Sequence, residues 1–342
     1  MSVETRNHTP FPFLGFESRG HRGEPFHILI VKATFHLKSG DYLRLLQDQP
    51  PLCMSDEYIG EPGQSSVVRE SDLSPFKPTS DVTLSGTARN TTPSRAWLAR
   101  LKVGTTEKTL RLTGPRKFYH RLIGGWGLSD PTPTTEVPVR YELAYGGWAG
   151  PKEKADVCNE NPIGRCHLGR YSPVTKDELP APQIEDPNDP ITTLGKHHRP
   201  QGFGPIGRAW APRLAKAGVF DDEWLATRWP DIPDNFDFAH YNSAHPDLVA
   251  PQYLKGDEPI HLDGFLADGP VQTALPSYLI YARVRLNSGQ IAPCPLHLDT
   301  LHFDVDANTV ALTWRARIPA RFGIRVLEAC LRNPQKGAQN GR

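Results

Sequence analysis

Residues 26–37, FHILIVKATFHL, constrain the fold of this chain more than any other segment. The run is rich in β-branched and aromatic residues, which are typical of strands. Its apolar side chains occur at both odd and even positions, so a strand here is expected to be buried on much of both faces. We therefore predict a mainly β fold in which residues 26–37 form a central strand of a sheet.

Alternation of apolar and polar residues predicts further strands around this one. Two β-hairpins are expected, with turns at residues 104–107 and 306–308, because the apolar face of each first arm continues in its second arm. The predicted arms are residues 97–103 with 108–112, and residues 301–305 with 310–316. Single strands are predicted at residues 82–88, 137–144 and 278–286. The expected architecture is a set of sandwich-like antiparallel sheets.

The alternating pattern disappears between about residues 145 and 260, where prolines, glycines and tryptophans are frequent. This composition predicts a long irregular Pro/Gly/Trp-rich insertion with few short helices. One helix is expected there, because Asp221 can cap its first turn, Leu225 and Trp229 lie one turn apart, and Pro230 ends it. We expect the apolar side of this helix to dock on the sheet.

Three parts are predicted along the chain. Residues 1–25 are expected to be an N-terminal arm, and residues 26–319 a single composite β domain that includes the irregular insertion. Residues 320–342 form either a helix or a strand followed by a frayed tail, because Ile324, Leu327 and Leu331 have helical spacing in a run that also suits a strand. We find no internal repeat and no linker rich in Ser or Gly.

Composition limits the classes of function. The formal net charge is +1, so no strong overall field attracts nucleic acid or an anionic membrane. The start of the chain does not resemble a secretory signal, and no apolar run approaches the ~18–20 residues of a membrane span. The five cysteines are scattered and odd in number, which argues against a disulfide framework. We therefore expect a cytoplasmic protein with reduced thiols.

Candidate metal and acid–base residues are present, but their spacing favours structural roles. Cys158 and Cys166 are too far apart for the short knuckle of a structural zinc site, and no second Cys pair follows. Histidines that could complete such a site are His167, His197 and His198. Two His/Asp pairs share strand faces by parity, namely His297 with Asp299 and His302 with Asp304. For the second pair we predict a solvated face, because it lies opposite Leu301 and Phe303.

Paired carboxylates would suit a glycosidase, and Glu70, Asp72 and Glu142 are the candidates. Glu70 and Asp72 lie two residues apart in a proline-bracketed loop, where we expect them to accept backbone N–H bonds and to neutralise Arg69 or Lys77. Signatures of a serine nucleophile, a phosphate-binding loop or a dinucleotide site are absent from the sequence. We predict no catalytic, cofactor-binding or metal-binding residue and no enzymatic activity. Five arginines make the carboxyl end basic and predict a solvated or partner-binding face: Arg315, Arg317, Arg321, Arg325 and Arg332.

Residues 58–86, YIGEPGQSSVVRESDLSPFKPTSDVTLSG, contain many polar residues but have neither helical nor strand periodicity. Glycines and prolines make the chain turn repeatedly, so its backbone polar groups must be satisfied by side chains such as Ser66, Glu70 and Asp72. Irregular backbone held in this way usually serves a surface. This segment also carries the first of several motifs that point to a known family.

The chain resembles the bacterial family called domain of unknown function 2169 over roughly residues 26–319. The motifs that carry the resemblance are residues 58–86, YELAYGG at 141–147, NPIG at 161–164, PQGFGPIGRAWAPR at 200–213, GVFDDEW at 218–224, PDNFDFAHYNSAHPD at 233–247 and GDE at 256–258. Members of that family lie beside the spike and effector genes of type VI secretion systems, and look like cytoplasmic adaptors or chaperones.

The resemblance implies that this chain binds a type VI effector protein and promotes its loading onto the spike, meaning the VgrG trimer and its PAAR cap. It implies no cofactor, no nucleic-acid partner and no membrane partner. The alternatives are a carbohydrate-active or metal-dependent hydrolase on a β-rich scaffold, or a structural part of the spike. Within the irregular regions we expect these residues to contact the partner: Arg69, Glu70, Asp72, Trp148, Phe203, Trp210, Arg213 and Trp224.

Overall fold

The computed structural model describes residues 3–151, 154–171 and 178–332. Most regular structure in them is β, as predicted. The strands are β1 Glu4–Asn7, β2 Phe13–Arg19, β3 Pro25–His36, β4 Arg44–Leu45, β5 Glu57–Tyr58, β6 Val67–Arg69, β7 Asp81–Ser85, β8 Thr87–Ser94, β9 Ala96–Val103, β10 Thr106–Thr113, β11 Lys117–His120, β12 Trp126–Leu128, β13 Thr134–Pro138, β14 Tyr145–Gly146, β15 Trp148–Ala149, β16 Asp156–Val157, β17 Arg165–Cys166, β18 Glu178–Pro180, β19 Ile184–Glu185, β20 Pro259–Asp263, β21 Val271–Ala274, β22 Leu279–Leu286, β23 Ile291–Pro295, β24 His297–Asp304, β25 Thr309–Pro319 and β26 Ile324–Arg332.

The helical elements are short. The α-helix α1 spans Asp222–Thr227, and the 3₁₀ helices span Tyr141–Leu143, Leu214–Lys216, Phe238–Tyr241, Pro246–Leu248 and Ala320–Phe322. Across the described ranges, none of the helices has the length and apolar character needed to cross a membrane.

A six-stranded sheet contains the predicted central strand. Its order is β2-β3-β25-β24-β7, with β4 added to the end of β3. β3 lies between β2 and β25 and is buried on both faces over most of its length, which confirms the interpretation of residues 26–37. The predicted hairpin near the carboxyl end is β24 with β25, and it forms the other half of this sheet.

A five-stranded sheet, β19-β10-β9-β20-β21, contains the other predicted hairpin as β9 with β10. A four-stranded sheet, β1-β26-β22-β23, confirms the strand predicted at 278–286 as β22 and shows that the segment after Gly323 is a strand, β26. The segment predicted as an N-terminal arm supplies β1 to this sheet and β2 to the six-stranded sheet. Most neighbouring strands are antiparallel, but β1 with β26, β14 with β17, and β24 with β7 are parallel.

Two strand predictions were wrong in their bounds. The strand expected at 82–88 is divided at Gly86, whose φ of +116° favours glycine and whose Cβ, if present, would lie 2.7 Å from a Val305 methyl group. The strand expected at 137–144 ends at Pro138, and a 3₁₀ helix follows. Side chains take over the backbone bonding there, because Ser66 Oγ accepts from Tyr141 N and Asn161 Nδ2 donates to Tyr141 O.

One large apolar core joins the sheets. It takes side chains from one face of the six-stranded sheet, such as Val31 and Leu312, and from the five-stranded and four-stranded sheets, such as Leu101 and Ala282. This arrangement is sandwich-like, as predicted. A second, smaller core contains Phe118, Tyr145, Cys158, Ala181 and Ile191, and we call it the satellite core.

The irregular insertion contains the predicted helix, α1. Asp221 caps it by accepting a 2.8 Å hydrogen bond from Trp224 N, as its sequence position predicts. The expectation that its apolar side docks on the sheet was wrong, because α1 has no buried residue and Leu225 and Trp229 are 60% and 65% exposed. The helix therefore presents apolar side chains to solvent.

Candidate partner-binding surface

Residues 69–77 of the irregular 58–86 segment lie over the polar face of the six-stranded sheet. Asp72 Oδ2 accepts hydrogen bonds from Lys32 Nζ at 2.8 Å and from Cys53 N at 2.7 Å. Arg315 Nη1 donates to Asp72 O at 2.8 Å, and its Nε donates to Asp299 Oδ2 at 2.6 Å. These four side chains are buried, and their opposite charges are paired. The segment is therefore attached to the sheet by the buried Lys32–Asp72 ion pair and by the hydrogen bond from Arg315 to Asp72 O.

A second group of buried ion pairs connects this segment to the irregular insertion. Glu70 Oε1 accepts from Arg213 Nη2 at 2.6 Å, while Lys77 Nζ lies 3.7 Å from Glu70 and 2.7 Å from Asp81. Burial opposes ionisation of Glu70, but Arg213, Lys77 and Arg208 outweigh it, so the pKa of this carboxyl is lowered. Asp81 also accepts from Ser243 N at 2.8 Å. The expected backbone N–H bond is made by Asp72 and the expected contact with Lys77 by Glu70, but the shortest ion pairs of these carboxylates are with Lys32 and Arg213 rather than with Arg69 or Lys77.

The space enclosed by these charged groups is small. A cavity of about 20 Å³ lies among Lys32, Asp72, Thr83 and His302, which is enough for one water molecule. Glu142, the third candidate carboxylate, accepts from Ser66 N at 2.9 Å and from Ser66 Oγ at 2.6 Å. Each carboxylate therefore has its own donors, and the cavity has no room for a sugar between two of them.

His302 is buried, so the prediction of a solvated His/Asp face was wrong for this residue. The face of β24 opposite Leu301 is covered by residues 69–77 rather than by water. Thr83 Oγ1 and Ser85 Oγ lie 2.9 and 3.1 Å from the two ring nitrogens. Burial, with smaller contributions from Arg69 and Lys32, lowers the pKa of His302 to about 3. The imidazole is therefore neutral at physiological pH.

The predicted basic face at the carboxyl end is also partly internal. Arg315 is buried against Asp299, and the Arg317 guanidinium lies 3.6 Å from the centre of the Phe26 ring. Arg321 and Arg325 remain exposed. His297 is exposed, and its ring stacks on the Tyr253 ring with the two centroids 4.3 Å apart. Asp299 is buried. These two residues, which share a strand face by parity, therefore lie in different environments.

The candidate metal ligands are held by separate partners. Cys158 is buried in the satellite core, and Cys166 Sγ lies 3.3 Å from Pro180 O. His167 Nε2 lies 3.4 Å from Asp156, and His198 Nδ1 lies 2.8 Å from Asp189. In the part of the chain that the structure describes, no three His, Cys, Asp or Glu side chains are grouped for a metal ion. All five cysteines are free thiols.

Most residues that were expected to contact a partner have structural positions. Asp72, Phe203, Trp210 and Arg213 are buried, and the Glu70 side chain is 7% exposed. Phe203 packs on Phe265 and Trp210 on Tyr141, while Arg69 and Trp224 are half-buried. Direct partner contact by these residues stays a prediction; in the folded chain their side chains are largely covered by other parts of the protein. Trp148, which is 57% exposed, is the one of the eight on the open surface.

The most exposed large apolar side chains lie at the tip of the hairpin formed by β11 and β12. Leu122 and Ile123 are 106% and 91% exposed, so they make almost no contact with the rest of the protein. The hairpin is nevertheless ordered, since Arg121 N donates to Gly125 O at 2.8 Å and the His120 and Trp126 rings lie 3.8 Å apart. Two aliphatic residues before Gly124-Gly125 are the sequence signal for this tip, and apolar–polar alternation does not reveal it.

A second short hairpin carries Trp148 on β15 opposite Val157 on β16, which is 37% exposed. Both hairpins are attached to the satellite core, the first through Phe118 and Trp126, and the second through the neighbouring residues Tyr145 and Cys158. We call the exposed apolar side chains on these two hairpins the satellite surface; its members are Tyr119, Leu122, Ile123, Trp148 and Val157.

The region around α1 presents another group of exposed apolar side chains. Phe220 is 57% exposed and packs edge-to-face on Trp224 at 4.8 Å, next to the exposed Leu225 and Trp229. Sequence reasoning placed these residues against the sheet because their helical spacing is the same for a docked and an undocked helix. Only the folded chain shows which side is covered.

Comparison with known proteins gives one match. A family model described as "Uncharacterized protein conserved in bacteria (DUF2169)" matches residues 22–315. No curated protein and no solved structure matches the chain.

Proposed function

The chain belongs to the DUF2169 family of bacterial proteins, and from this we propose that it is an adaptor or chaperone that binds a type VI secretion effector. In this proposal it acts in the cytoplasm and promotes loading of the effector onto the VgrG/PAAR spike. The type VI partners rest on the resemblance of its motifs to family members found beside spike and effector genes, which is an argument by analogy.

The observation that carries a binding function is the satellite surface. Large apolar side chains that are open to solvent favour association, since covering them removes apolar area from water. Trp148 and Tyr119 are of the residue types that dominate binding energy at protein interfaces. The hairpin tip is narrow, so Leu122 and Ile123 can enter a groove or pocket of a partner. Four charged residues of the 58–86 segment, in contrast, are used in internal ion pairs: Glu70, Asp72, Lys77 and Asp81.

The proposal is tested by affinity purification of the tagged protein from its native bacterium while the secretion genes are expressed, followed by mass spectrometry. We expect an effector or a spike protein to co-purify. Recovery of the chain alone under these conditions contradicts the adaptor function.

Surface variants then locate the contact. We expect Leu122→Ser/Ile123→Ser and Trp148→Ala to reduce effector recovery at least tenfold, because each removes exposed apolar contact area. The matched control is Leu279→Ser/Ile291→Ser, which changes two half-exposed aliphatic residues of the four-stranded sheet. All variants should melt within a few degrees of the wild type, since exposed substitutions rarely change stability by more than ~0.5 kcal/mol. Unchanged recovery with both satellite variants excludes this surface.

A further inference from the structure

A large cavity lies where the six-stranded and five-stranded sheets meet, away from the satellite core. Its volume is about 800 Å³, within the ~300–1,000 Å³ typical of small-ligand sites. One wall is the end of β3 with the chain that returns as β4, and the other is the segment that leads into β21. Polar side chains of the lining include His36, Lys38, Ser39, Tyr42, Arg44 and Asp268.

Hydrogen bonds between the two sheets hold these walls together. Gly40 N donates to Gln272 O at 3.0 Å, and Leu43 N donates to Ala274 O at 2.8 Å. Ser39 Oγ donates to Pro270 O at 3.4 Å and accepts from Gln272 N at 3.2 Å. The cavity is thus pre-formed, which reduces the entropy that a ligand would lose on binding. Apolar lining comes from Leu37 and Val271, which are buried at 4% and 5% exposure.

The charged side chains that line this cavity are exposed to solvent. Lys38, Arg44 and Asp268 make no ion pair or side-chain hydrogen bond with any residue in the described ranges. Elsewhere on the surface, exposed arginines are often paired, as Arg100 is with Glu107 at 2.6 Å. The formal charges of Lys38, Arg44 and Asp268 add up to +1 in this cavity. The half-exposed Tyr42 ring adds an aromatic contact surface.

We propose that this cavity binds a carboxylic acid with an apolar body, either a free acid or the C-terminus of a peptide. Lys38 and Arg44 would receive the carboxylate, which matches the planar fork of an arginine, and Tyr42 would contact the apolar part. Asp268 disfavours a doubly charged phosphate, because it repels anions within the same cavity. This site goes beyond the proposed adaptor function and does not depend on it.

Calorimetric titration of the full chain tests the assignment with 3-phenylpropionate and with the peptide acetyl-Ala-Phe-Leu. We expect both carboxylates to bind, and their amides to bind at least tenfold more weakly, because a charge-assisted hydrogen bond commonly contributes about a factor of ten or more. Binding of the peptide alone identifies a peptide terminus as the source of the carboxylate, and binding of 3-phenylpropionate alone identifies a free acid.

Variants link the binding to the cavity. Lys38→Ala/Arg44→Ala should weaken carboxylate binding at least tenfold, and Asp268→Asn should strengthen it severalfold by removing a repulsive charge. Arg321→Ala/Arg325→Ala removes the same number of exposed charges from another site and should have no effect. The assignment is overturned if neither acid binds at millimolar concentration, if the amides bind equally well, if phenyl phosphate binds more tightly, or if the cavity and control variants behave alike.

Discussion

Buried ion pairs lie on the polar face of the six-stranded sheet. In the pairs Lys32–Asp72 and Arg315–Asp299, the positively charged residue lies on a central strand, β3 or β25. A buried pair contributes little net stability compared with apolar residues of the same size, but removing one partner costs about 3–5 kcal/mol. These contacts explain how an irregular segment without periodicity has one fixed position: any other position would separate Lys32 from the Asp72 carboxylate and Arg315 from the Asp72 and Ser74 carbonyls.

His302 lies on the same face and gives a prediction about pH. Its pKa in the folded protein is about 3, while a histidine in the unfolded chain has a pKa of ~6.5. The unfolded state therefore binds a proton as the pH falls below ~6.5, and the folded state does so only near pH 3. The contribution of His302 to the free energy of unfolding is therefore fully present above about pH 6.5 and is lost as the pH falls toward 3.

We expect the wild type to lose about 2 kcal/mol more unfolding free energy than His302→Gln between pH 7 and pH 5. Glutamine can keep hydrogen bonds to Thr83 and Ser85 but does not titrate. Urea unfolding followed by tryptophan fluorescence at both pH values measures the difference. Equal losses in the two proteins would show that His302 does not control this pH dependence.

At the scale of elements, the sequence predicted what depends on local periodicity. The hairpins β9 with β10 and β24 with β25 were recognised because apolar residues alternate along them and turn residues separate them. β1 was missed because all four of its residues are exposed, so no burial pattern marks it. Its position depends on backbone pairing with β26, which is more than three hundred residues away in the chain.

At the candidate site, too, the sequence predicted local features but not contacts between distant segments. The 58–86 segment was correctly predicted to be irregular and held by side chains, because glycines, prolines and short polar residues define turns locally. Which of its charges stay exposed could not be predicted, since Glu70 is buried by Arg213 from another segment. Leu122 and Ile123 differ from expectation in the opposite direction: aliphatic residues are usually assigned to the core, but these two are exposed.

The exposed helix α1 gives a prediction for a single element. We expect Asp221→Ala to accelerate amide hydrogen exchange in residues 222–228 by about fivefold, because loss of an N-cap costs ~1 kcal/mol of helix stability. Global unfolding should change by less than ~0.5 kcal/mol, since no residue of α1 is buried. Exchange measured by mass spectrometry of peptides tests this, with Asp222→Ala as a control that keeps the cap. A comparable loss of global stability would mean that α1 is part of the main core.

At the scale of the whole molecule, the main core and the satellite core differ greatly in size. The main core joins three sheets, whereas the satellite core has five buried apolar residues on short strands and on the irregular chain beside them. A region with few buried contacts opens at a lower free energy than the global unfolding transition. The satellite surface is attached to this smaller core, so partner binding would occur on the part of the protein that opens most easily.

Substituting one buried phenylalanine in each core tests whether the main core and the satellite core unfold separately. Phe303 is 0% exposed in the main core and Phe118 is 1% exposed in the satellite core, so each truncation to alanine removes a similar contact area. We expect Phe303→Ala to lower the global free energy of unfolding by about 3–5 kcal/mol. Phe118→Ala should instead accelerate exchange in β11, β12 and β18 and leave exchange in β3 and β25 near the wild-type rate. If both variants reduce the protection of all these strands equally, the two cores unfold as one cooperative unit, and the satellite surface is as rigid as the sheets.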